Sequence, residues 1–357
     1  MGVMNGYNSG HGRYQLHAIR FRSRVRSRLR NRSTERRPVA VDEFGERVEE
    51  HRRELHVHCY RMLGSFDEAE DLVQETFLRA WDRRGTLRSE TGLRAWLYRI
   101  ATNACLDHLR AAPRRPQPRP APALPADPGL DPPASNAVPW LQPYPDTLLD
   151  AAETVIDRET IELAFLVAIQ HLPPRQRAVL ILRDVLGWSA QETAESLELT
   201  VAGVKSALQR ARPTVREHLP ARRLEWAASV EPTSQERAVL QRYIAAVEQA
   251  DPSVLAGVLR ADVWQTMPPA PIWLLGREAF MASWTPAMVG PEAWGEWRLL
   301  ATRANRQPAA AAYLRRAGQP DYLPSWMGVL RVEDGLVTQI TTYGQDVFPR
   351  FGLPSSL

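Results

Sequence analysis

The sequence predicts a multidomain protein in which two all-α segments precede a C-terminal α+β segment. Apolar residues recur at helical spacing in residues 42–111 and again in residues 150–219. Proline-rich stretches separate the segments, and beyond residue 232 one helical pattern gives way to short strand patterns. A chain of 357 residues has room for two or three domains, so each segment can fold around its own core.

The composition excludes several classes of protein. The two cysteines, Cys59 and Cys105, lack the spacing of a zinc site or a disulfide scaffold, so we expect no metal and no cofactor. No apolar run approaches the ~20 residues that cross a bilayer. The arginine-rich N-terminus also lacks the apolar region of a secretory signal. We therefore expect a cytoplasmic protein.

Residues 1–41 are predicted to form a disordered basic tail. The first 40 residues hold ten arginines and one acid, Glu35, whereas the net charge of the whole chain is only +4. The excess positive charge is therefore local to the tail. Electrostatic contact between this tail and DNA is the alternative interpretation.

Proline marks the boundaries between the predicted domains. The predicted segments are residues 42–111 (first helical domain), 112–149 (proline-rich linker), 150–219 (second helical domain), 220–233 (second linker) and 234–357 (C-terminal domain). The far end of the first linker reads WLQPYP over residues 140–145, which is too apolar for a free tether. We therefore expect Trp140 and Tyr144 to dock on a folded domain.

Two helices of the first domain combine a buried face with a polar face. Residues 67–81 begin with acids, as a helix N-terminus prefers. Their outward-facing set is Asp71, Gln74, Glu75 and Arg79. Winding residues 92–110 at 3.6 residues per turn gathers a second polar set on one arc, namely Trp96, Arg99, Asn103, Asp107 and Arg110. This arc suits phosphate contact and base stacking, and a solvated helix face is the alternative.

Residues 172–212 have the pattern of a helix-turn-helix. Ser189 and Glu192 can form a capping box, which predicts a helix over residues 190–197. Thr200 can cap the next helix, which would extend to about Arg212. The outward side chains of that helix are Lys205, Ser206, Gln209 and Arg210, with Arg212 at the border. An apolar back and outward donors suit a recognition helix. An ordinary three-helix bundle is the alternative, because the turn lacks glycine.

Three stretches of the chain together resemble the σ2 and σ4 domains of extracytoplasmic-function (ECF) sigma factors of the sigma-70 family. They read DEAEDLVQETFLRAW, LRAWLYRIATNACLDHLR and LPPRQRAVLILRDVLGWSAQETAESLELTVAGVKSALQRAR. The resemblance is specific, because three separate motifs agree in order and spacing over about half of the chain. It implies a non-catalytic subunit that directs core RNA polymerase to promoters.

The resemblance also implies a role for individual residues. The residues expected to bind the polymerase β′ clamp are Asp71, Leu72, Gln74, Glu75, Phe77 and Leu78. For the −10 element the resemblance implies Arg88, Ser89, Glu90, Trp96 and Asn103, and the polar arc of the helix adds Arg99 and Arg110. For the −35 element it implies Lys205, Ser206, Gln209 and Arg210, and the helix pattern adds Thr200 at the start and Arg212 at the border. The implied partners are core polymerase, through its β′ clamp and β flap, and promoter DNA, whose strands separate as an extruded base is captured.

The C-terminal segment predicts helices followed by an antiparallel sheet. A helix over residues 238–247 precedes strands at 262–267, 297–302, 309–315, 327–332 and 336–342, with a second helix at 277–284. This order resembles the SnoaL-like (NTF2-like) cone fold. The strings FPRFGLP and WLQPYP resemble the ECF subgroup that carries such a domain, which includes sigma-J-like and sigma-G-like proteins. The domain is therefore expected to regulate the sigma factor in cis.

Two other functions stay open at this stage. A helix-turn-helix regulator with a ligand-sensing cone would bind DNA without polymerase, and a small molecule would then be a partner of the C-terminal domain. Cone-fold enzymes need acid–base residues in the cavity, for which the candidates are Asp262, Tyr313 and Tyr343. No motif marks these three residues, and no histidine, cysteine or lysine follows His218.

Overall fold

The computed structural model describes residues 39–87, 89, 92–111, 140–150, 161–219, 232–269 and 273–357. The chain divides into two units, residues 1–49 and residues 50–357. The described part of the first unit is helix α1 (Val39–Glu49). Most of the predicted basic tail, residues 112–139 of the predicted linker, and the predicted site residues Arg88 and Glu90 lie outside the described residues.

The first helical domain of the second unit contains three helices. They are α2 (Arg52–Leu63), α3 (Phe66–Asp82) and α4 (Leu93–Ala111), with a 3-10 turn at Arg84–Thr86. Helix α2 ends at Gly64, whose left-handed φ of 73° lets its N–H donate to the Tyr60 carbonyl. Ser65 then caps α3 by accepting a hydrogen bond from the Glu68 N–H at 3.3 Å. The turn between α2 and α3 is therefore fixed by two local caps.

The second helical domain contains the predicted helix-turn-helix. Its elements are α5 (Asp146–Asp150), α6 (Leu163–Gln170), α7 (Pro174–Leu180), a π turn (Ile181–Val185), α8 (Ala190–Leu197) and α9 (Val201–His218). Ser189 and Glu192 form the capping box that begins α8. The turn before α9 needs a left-handed residue, and Glu198 supplies it with a φ of 54°. Helix α9 continues past the expected end at Arg212, because buried Val215 anchors its last turns despite Pro213.

The C-terminal domain is a six-stranded sheet with helices on one face. Its elements are α10 (Ser234–Glu248), α11 (Pro252–Val258), β1 (Leu259–Thr266), β2 (Trp273–Leu275), α12 (Arg277–Met288), β3 (Glu296–Ala304), β4 (Gln307–Arg315), β5 (Leu323–Glu333), β6 (Leu336–Gly344) and a 3-10 segment (Gln345–Phe351). The strand order is β2-β1-β6-β5-β4-β3, and only the β1–β6 pair is parallel. The predicted fold class, two all-α domains followed by an α+β cone, is confirmed.

Both faces of the sheet are covered. On the helix side, Leu240 of α10 and Trp284 of α12 share one apolar core with Leu330 and Ile340 of the strands. On the opposite face, alternate residues of β4, β5 and β6 are also buried, namely Ala309, Ala311, Met327, Val329 and Tyr343. The C-terminal 3-10 segment covers part of this second face, since the Phe348 ring packs on the Tyr313 ring with centroids 5.2 Å apart. In the described ranges, no helix has the length and apolar character to span a bilayer.

Candidate polymerase and nucleic-acid interface

The polymerase-binding candidates on α3 differ in exposure. Gln74 is exposed, and 36% of the Leu78 surface is accessible. The half-buried candidates are Asp71, Glu75 and Phe77. The Arg52 guanidinium lies 4.7 Å from the centroid of the Phe77 ring, which fixes that ring against α2. Leu72 is buried, so it packs in the core of the domain and is not accessible to a partner protein.

The DNA candidates on α4 form a face that touches the second helical domain. Arg99 and Arg110 are exposed, Trp96 and Asn103 are half-buried, and the nearby Ser89 is exposed. The Arg110 guanidinium donates to the Asp107 carboxylate at 3.2 Å. The Arg99 guanidinium donates to the carboxylate of Glu198, in the turn of the helix-turn-helix, also at 3.2 Å. An edge-to-face contact between Tyr98 and Trp188 lies in the same interface, with centroids 5.8 Å apart.

Helix α9 presents its polar stripe outward, as a recognition helix requires. Lys205, Gln209 and Arg210 are exposed and Ser206 is half-buried, whereas Val204, Leu208 and Ala211 are buried. The Thr200 hydroxyl accepts from the Gly203 N–H at 3.0 Å and so caps the helix. Arg212 forms a bidentate pair with Asp184, with both N–O distances 2.9 Å, and this pairing raises the pKa of Arg212.

The WLQPYP segment lies between the first helical domain and the cone. Gln142 makes five hydrogen bonds to the first helical domain. Its side-chain oxygen accepts from the Asp67 N–H at 3.0 Å and from the Ser65 hydroxyl at 3.1 Å, and its amide nitrogen donates to the Asp67 carboxylate at 2.8 Å. Its backbone N–H donates to the Gly64 carbonyl at 2.9 Å, and its own carbonyl accepts from the Tyr60 hydroxyl at 2.6 Å. One glutamine therefore caps the start of α3 from outside the domain.

Tyr144 of the same segment is buried, with 2% of its surface accessible. Its hydroxyl is hydrogen-bonded to Nδ1 of His56 at 2.9 Å, and its ring packs on Phe66 with centroids 5.2 Å apart. Its backbone N–H donates to the Asn305 side chain at 2.8 Å, and its carbonyl accepts from the Asn305 N–H at 2.9 Å. Tyr144 thus bonds to the first helical domain and to the cone at the same time.

Asn305 joins three domains from the tip of the β3–β4 hairpin. It is fully buried and left-handed, with a φ of 56°. Besides accepting from Tyr144, its side-chain amide donates to the Tyr60 hydroxyl at 2.9 Å and to the Ile161 carbonyl at 2.8 Å. The next residue, Arg306, donates its N–H to the Asp146 carboxylate at 2.8 Å. We call this hairpin tip, residues 304–307, the cone latch.

A buried guanidinium joins the two helical domains directly. Arg177 of α7 is 5% exposed and donates to the Met62 carbonyl, at the end of α2, at 2.5 Å. It also donates to the Ile169 carbonyl at 2.9 Å, to the Gln170 carbonyl at 3.0 Å and to the Leu172 carbonyl at 3.1 Å. The Gln170 side chain accepts a further bond at 2.6 Å. Arg177 therefore donates to backbone carbonyls at the C-terminal ends of α2 and α6, one helix in each domain.

The C-terminal segment contacts the start of α3. Arg350, within the FPRFGLP string, donates to the Asp67 carboxylate at 2.7 Å. Its guanidinium lies 4.4 Å from the centroid of the Phe66 ring. The side chains of Gln142 and Arg350 therefore both donate to the Asp67 carboxylate, so the linker and the cone bind the same end of α3.

Acidification is expected to weaken this junction through His56. Burial is the largest cause that lowers the pKa of His56 to about 4. The unfolded chain binds this proton first, so the stability contribution is complete above about pH 6.5 and is lost as the pH falls toward 4. We expect His56 to account for about 2 kcal/mol of lost unfolding free energy between pH 7.5 and pH 5. Denaturant titrations of wild type and His56→Asn at both pH values measure this loss. An unchanged pH dependence in the variant would show that His56 is not involved.

The interior of the cone is packed with aromatic side chains. Four tryptophans, Trp284, Trp294, Trp297 and Trp326, lie with neighbouring ring centroids 5.6 to 6.2 Å apart. The candidate catalytic residues do not converge there. Tyr313 lies on the opposite face of the sheet and donates to the Pro354 carbonyl at 2.9 Å. Asp262 is exposed and paired with Arg260. This geometry gives no support to acid–base chemistry.

The sequence predicted the helices α4 and α9, but it did not indicate the residues that join the domains. Gln142 lies in the WLQPYP string and Arg350 in the FPRFGLP string. Both strings were noted in the sequence, but the hydrogen bonds that these two side chains make were not predicted. Asn305 had a weaker signal, because asparagine tolerates the left-handed conformation of a tight hairpin. Arg177 had no sequence signal, since an arginine at a helix start is normally exposed.

The helix-turn-helix has exposed donors on α9, and α4 of the first helical domain carries arginines and a tryptophan on one face. Both features are typical of DNA-binding proteins. Comparison with known families agrees with this class. Residues 47–115 match the family model described as sigma-70 region 2, and residues 162–213 match the model described as sigma-70, region 4.

The chain belongs to the ECF RNA polymerase sigma factor family. The ECF sigma factor SigG of Mycobacterium tuberculosis is 42% identical over 322 residues, which cover 88% of this chain and 85% of the relative. SigW of Bacillus subtilis is 30% identical over 180 residues, which cover 50% of this chain and 89% of the relative. Proteins of this family are non-enzymatic initiation factors that bind core RNA polymerase and promoter DNA.

The fold likeness extends over all three domains. The crystal structure of the ECF sigma factor SigJ of Mycobacterium tuberculosis is 22% identical and has a TM-score of 0.55. It covers 88% of this chain and 99% of the SigJ chain. The likeness to SigJ supports the arrangement of secondary structure alone. The resemblance to ECF sigma factors that carry a SnoaL-like domain is confirmed.

Proposed function

We propose that this chain binds the β′ clamp of core polymerase through the exposed part of α3 and reads promoters with α4 and α9. The observation that carries the proposal is the open polar stripe of α9, with Lys205, Gln209 and Arg210 exposed over a buried apolar back. The −10 role rests on Trp96, Arg99 and Asn103, and the −35 role on the α9 stripe. A cytoplasmic location is part of the proposal, because core polymerase and promoter DNA are its proposed partners. We also propose that region 4 binds the β flap.

We propose that the cone regulates the sigma factor by holding its two helical domains together. The −10 and −35 elements lie about 25 base pairs, or about 85 Å, apart along B-DNA. In the compact arrangement Arg99 of α4 contacts Glu198 beside α9 at 3.2 Å, so the two reading helices cannot reach both elements at once. The domains must therefore separate before both elements are bound. The cone latch, Tyr144 and Gln142 oppose that separation, and no catalytic step is assigned to the cone.

Leu78→Glu tests the polymerase-binding face. We expect this substitution to weaken binding of the full-length protein to immobilised core polymerase at least about tenfold, because an exposed apolar anchor is replaced by a charge. The matched control is Leu323→Glu, since Leu323 is an exposed leucine of the cone with 44% of its surface accessible. Equal binding by both variants would contradict the assignment of α3. No binding by the wild type would contradict the proposed function.

A further inference from the structure

The two cysteines of the chain lie side by side in the core of the first helical domain. Cys59 belongs to α2 and Cys105 to α4, and both are fully buried. A hydrogen bond joins the two thiols. Because the sequence contains only these two cysteines, any disulfide within one chain joins this pair.

The packing of α2 on α4 holds the thiols in this position. The Tyr98 hydroxyl donates to the Glu54 carboxylate at 3.1 Å. Four residues further along both helices, Nε2 of His58 lies 2.8 Å from the hydroxyl oxygen of Thr102. The first cysteine follows His58 directly, and the second lies three residues beyond Thr102, so both fall within the next helical turn. The thiol pair is therefore part of a contact that hydrogen bonds keep in register.

The compact arrangement keeps these thiols unreactive. Burial is the largest cause that raises the pKa of the Cys105 thiol well above its ordinary value, and the hydrogen bond to Cys59 adds to it. The positive charge of Arg177 lowers the pKa of Cys105, but it does not restore the ordinary value. Since the thiolate is the nucleophilic form of cysteine, a buried neutral thiol reacts slowly with oxidants.

Part of the cover over the thiols comes from the second helical domain. Helix α7 packs against both α2 and α4. Its Arg177 donates to the carbonyl of Met62, which lies three residues beyond Cys59 on α2. The seam between α2 and α4 is therefore covered by a helix of the domain that moves when the two helical domains separate.

We propose that Cys59 and Cys105 form a redox site of the separated state, in which hydrogen peroxide oxidises the two thiols to a disulfide that joins α2 to α4. The timing of this reaction rests on the proposed function, because separation of the helical domains is the step that removes α7 from the seam. The bond fixes α4, the helix of the proposed −10 face, against α2.

The reaction needs peroxide and the two thiols alone. One thiolate attacks a peroxide oxygen, the O–O bond breaks, and the products are a sulfenic acid and, after protonation, one water molecule. The second thiol then attacks the sulfenic sulfur, the S–S bond forms, and the oxygen leaves as a second water molecule. The two sulfurs are oxidised by two electrons in total, and the peroxide is reduced by the same two.

Peptide mapping of the full-length protein after treatment with hydrogen peroxide tests the site. Remaining thiols are alkylated before digestion with trypsin, and the monomer band is taken from a non-reducing gel. We expect peptide 54–61 linked to peptide 100–110, and dithiothreitol should separate them. Neither peptide contains methionine, so methionine oxidation does not disturb this readout. The linked pair should be absent from Cys59→Ala and from Cys105→Ala.

The rate of crosslinking tests the dependence on domain separation. Asn305→Gly weakens the cone latch, so it should accelerate crosslinking at least about tenfold by raising the separated population. Asp334→Gly is the matched control on an exposed hairpin and should react at the wild-type rate. Equal rates in all three proteins would overturn the role of separation.

Two other outcomes would overturn the site itself. They are peptides that stay unlinked in both the wild type and Asn305→Gly, and a linked pair found only in dimers. The assay contains neither polymerase nor DNA. A failure of the protein to bind core polymerase would therefore contradict the proposed function while the crosslinking result stands.

Discussion

Arg177→Met is expected to lower the free energy of unfolding by about 3 to 5 kcal/mol. The guanidinium is 5% exposed and donates to five acceptors, four of which are backbone carbonyls. Methionine fills similar volume but leaves those buried acceptors without donors, and each unsatisfied acceptor costs about 1 to 3 kcal/mol. Because the Met62 carbonyl belongs to the first helical domain, the substitution should also loosen the contact between the two helical domains.

Chemical denaturation followed by circular dichroism measures this effect. Arg175→Met is the matched control, since Arg175 is exposed two residues away on the same helix, and a change within about 0.5 kcal/mol is expected there. Arg177→Lys should recover only part of the loss, because an ammonium group lacks the planar fork that reaches carbonyls on two helices. A loss for Arg177→Met no larger than that of Arg175→Met would mean that the carbonyls find other donors.

Two substitutions of Asn305 are expected to distinguish the contribution of its side-chain hydrogen bonds to stability from that of its left-handed backbone. Asn305→Gly should lower the free energy of unfolding by about 2 to 3 kcal/mol, because the Tyr144 N–H and the Ile161 carbonyl lose buried partners. Asn305→Ala should lose about 1 kcal/mol more, since alanine resists the left-handed conformation that asparagine and glycine accept. The same denaturant titrations, together with the radius of gyration by small-angle X-ray scattering, measure the stability and the compactness.

The control for Asn305→Gly is Asp334→Gly on the neighbouring hairpin. Asp334 is also left-handed, with a φ of 52°, but it is exposed. Glycine there should be neutral or stabilise by about 0.5 kcal/mol, because it fits the same backbone without the loss of buried bonds. Similar losses at both hairpins would contradict the latch, since the amide contacts would then contribute nothing.

The sequence was sufficient to predict the elements that carry periodic patterns. Helix α8 was expected over residues 190–197, and the structure places it at Ala190–Leu197. A capping box and an apolar stripe are local signals, so they determine a helix without knowledge of the rest of the fold. Strand β2 was missed, because three residues are too few for alternation to be recognised.

The contacts between domains could not be predicted in the same way. The Asn305 amide and the Ile161 carbonyl are 144 positions apart in sequence. Every residue type has a backbone carbonyl, so the residue at the accepting position does not indicate that a hydrogen bond is made there. Only the apolar character of WLQPYP indicated that the linker docks, and it did not indicate where. The assignments of single residues to the β′ clamp, the −10 element and the −35 element stay predictions.

We propose that the regulatory step is separation of the two helical domains. Gln142 and Arg350 both bind Asp67, at the first turn of α3, while the exposed Gln74 and Leu78 lie further along the same helix. The compact protein therefore leaves part of its proposed polymerase-binding surface open while α4 contacts Glu198. On this account, docking on core polymerase precedes the separation that frees α4 for the −10 element.

In vitro transcription by purified core polymerase with the full-length protein tests the central claim most directly. Fragmented genomic DNA of the source organism serves as template, and the 5′ ends of the transcripts are mapped. We expect new start sites that share sequences upstream and that disappear with the double variant Lys205→Ala, Gln209→Ala. Transcripts that do not depend on the added protein, together with DNA binding in the absence of polymerase, would contradict the sigma-factor account.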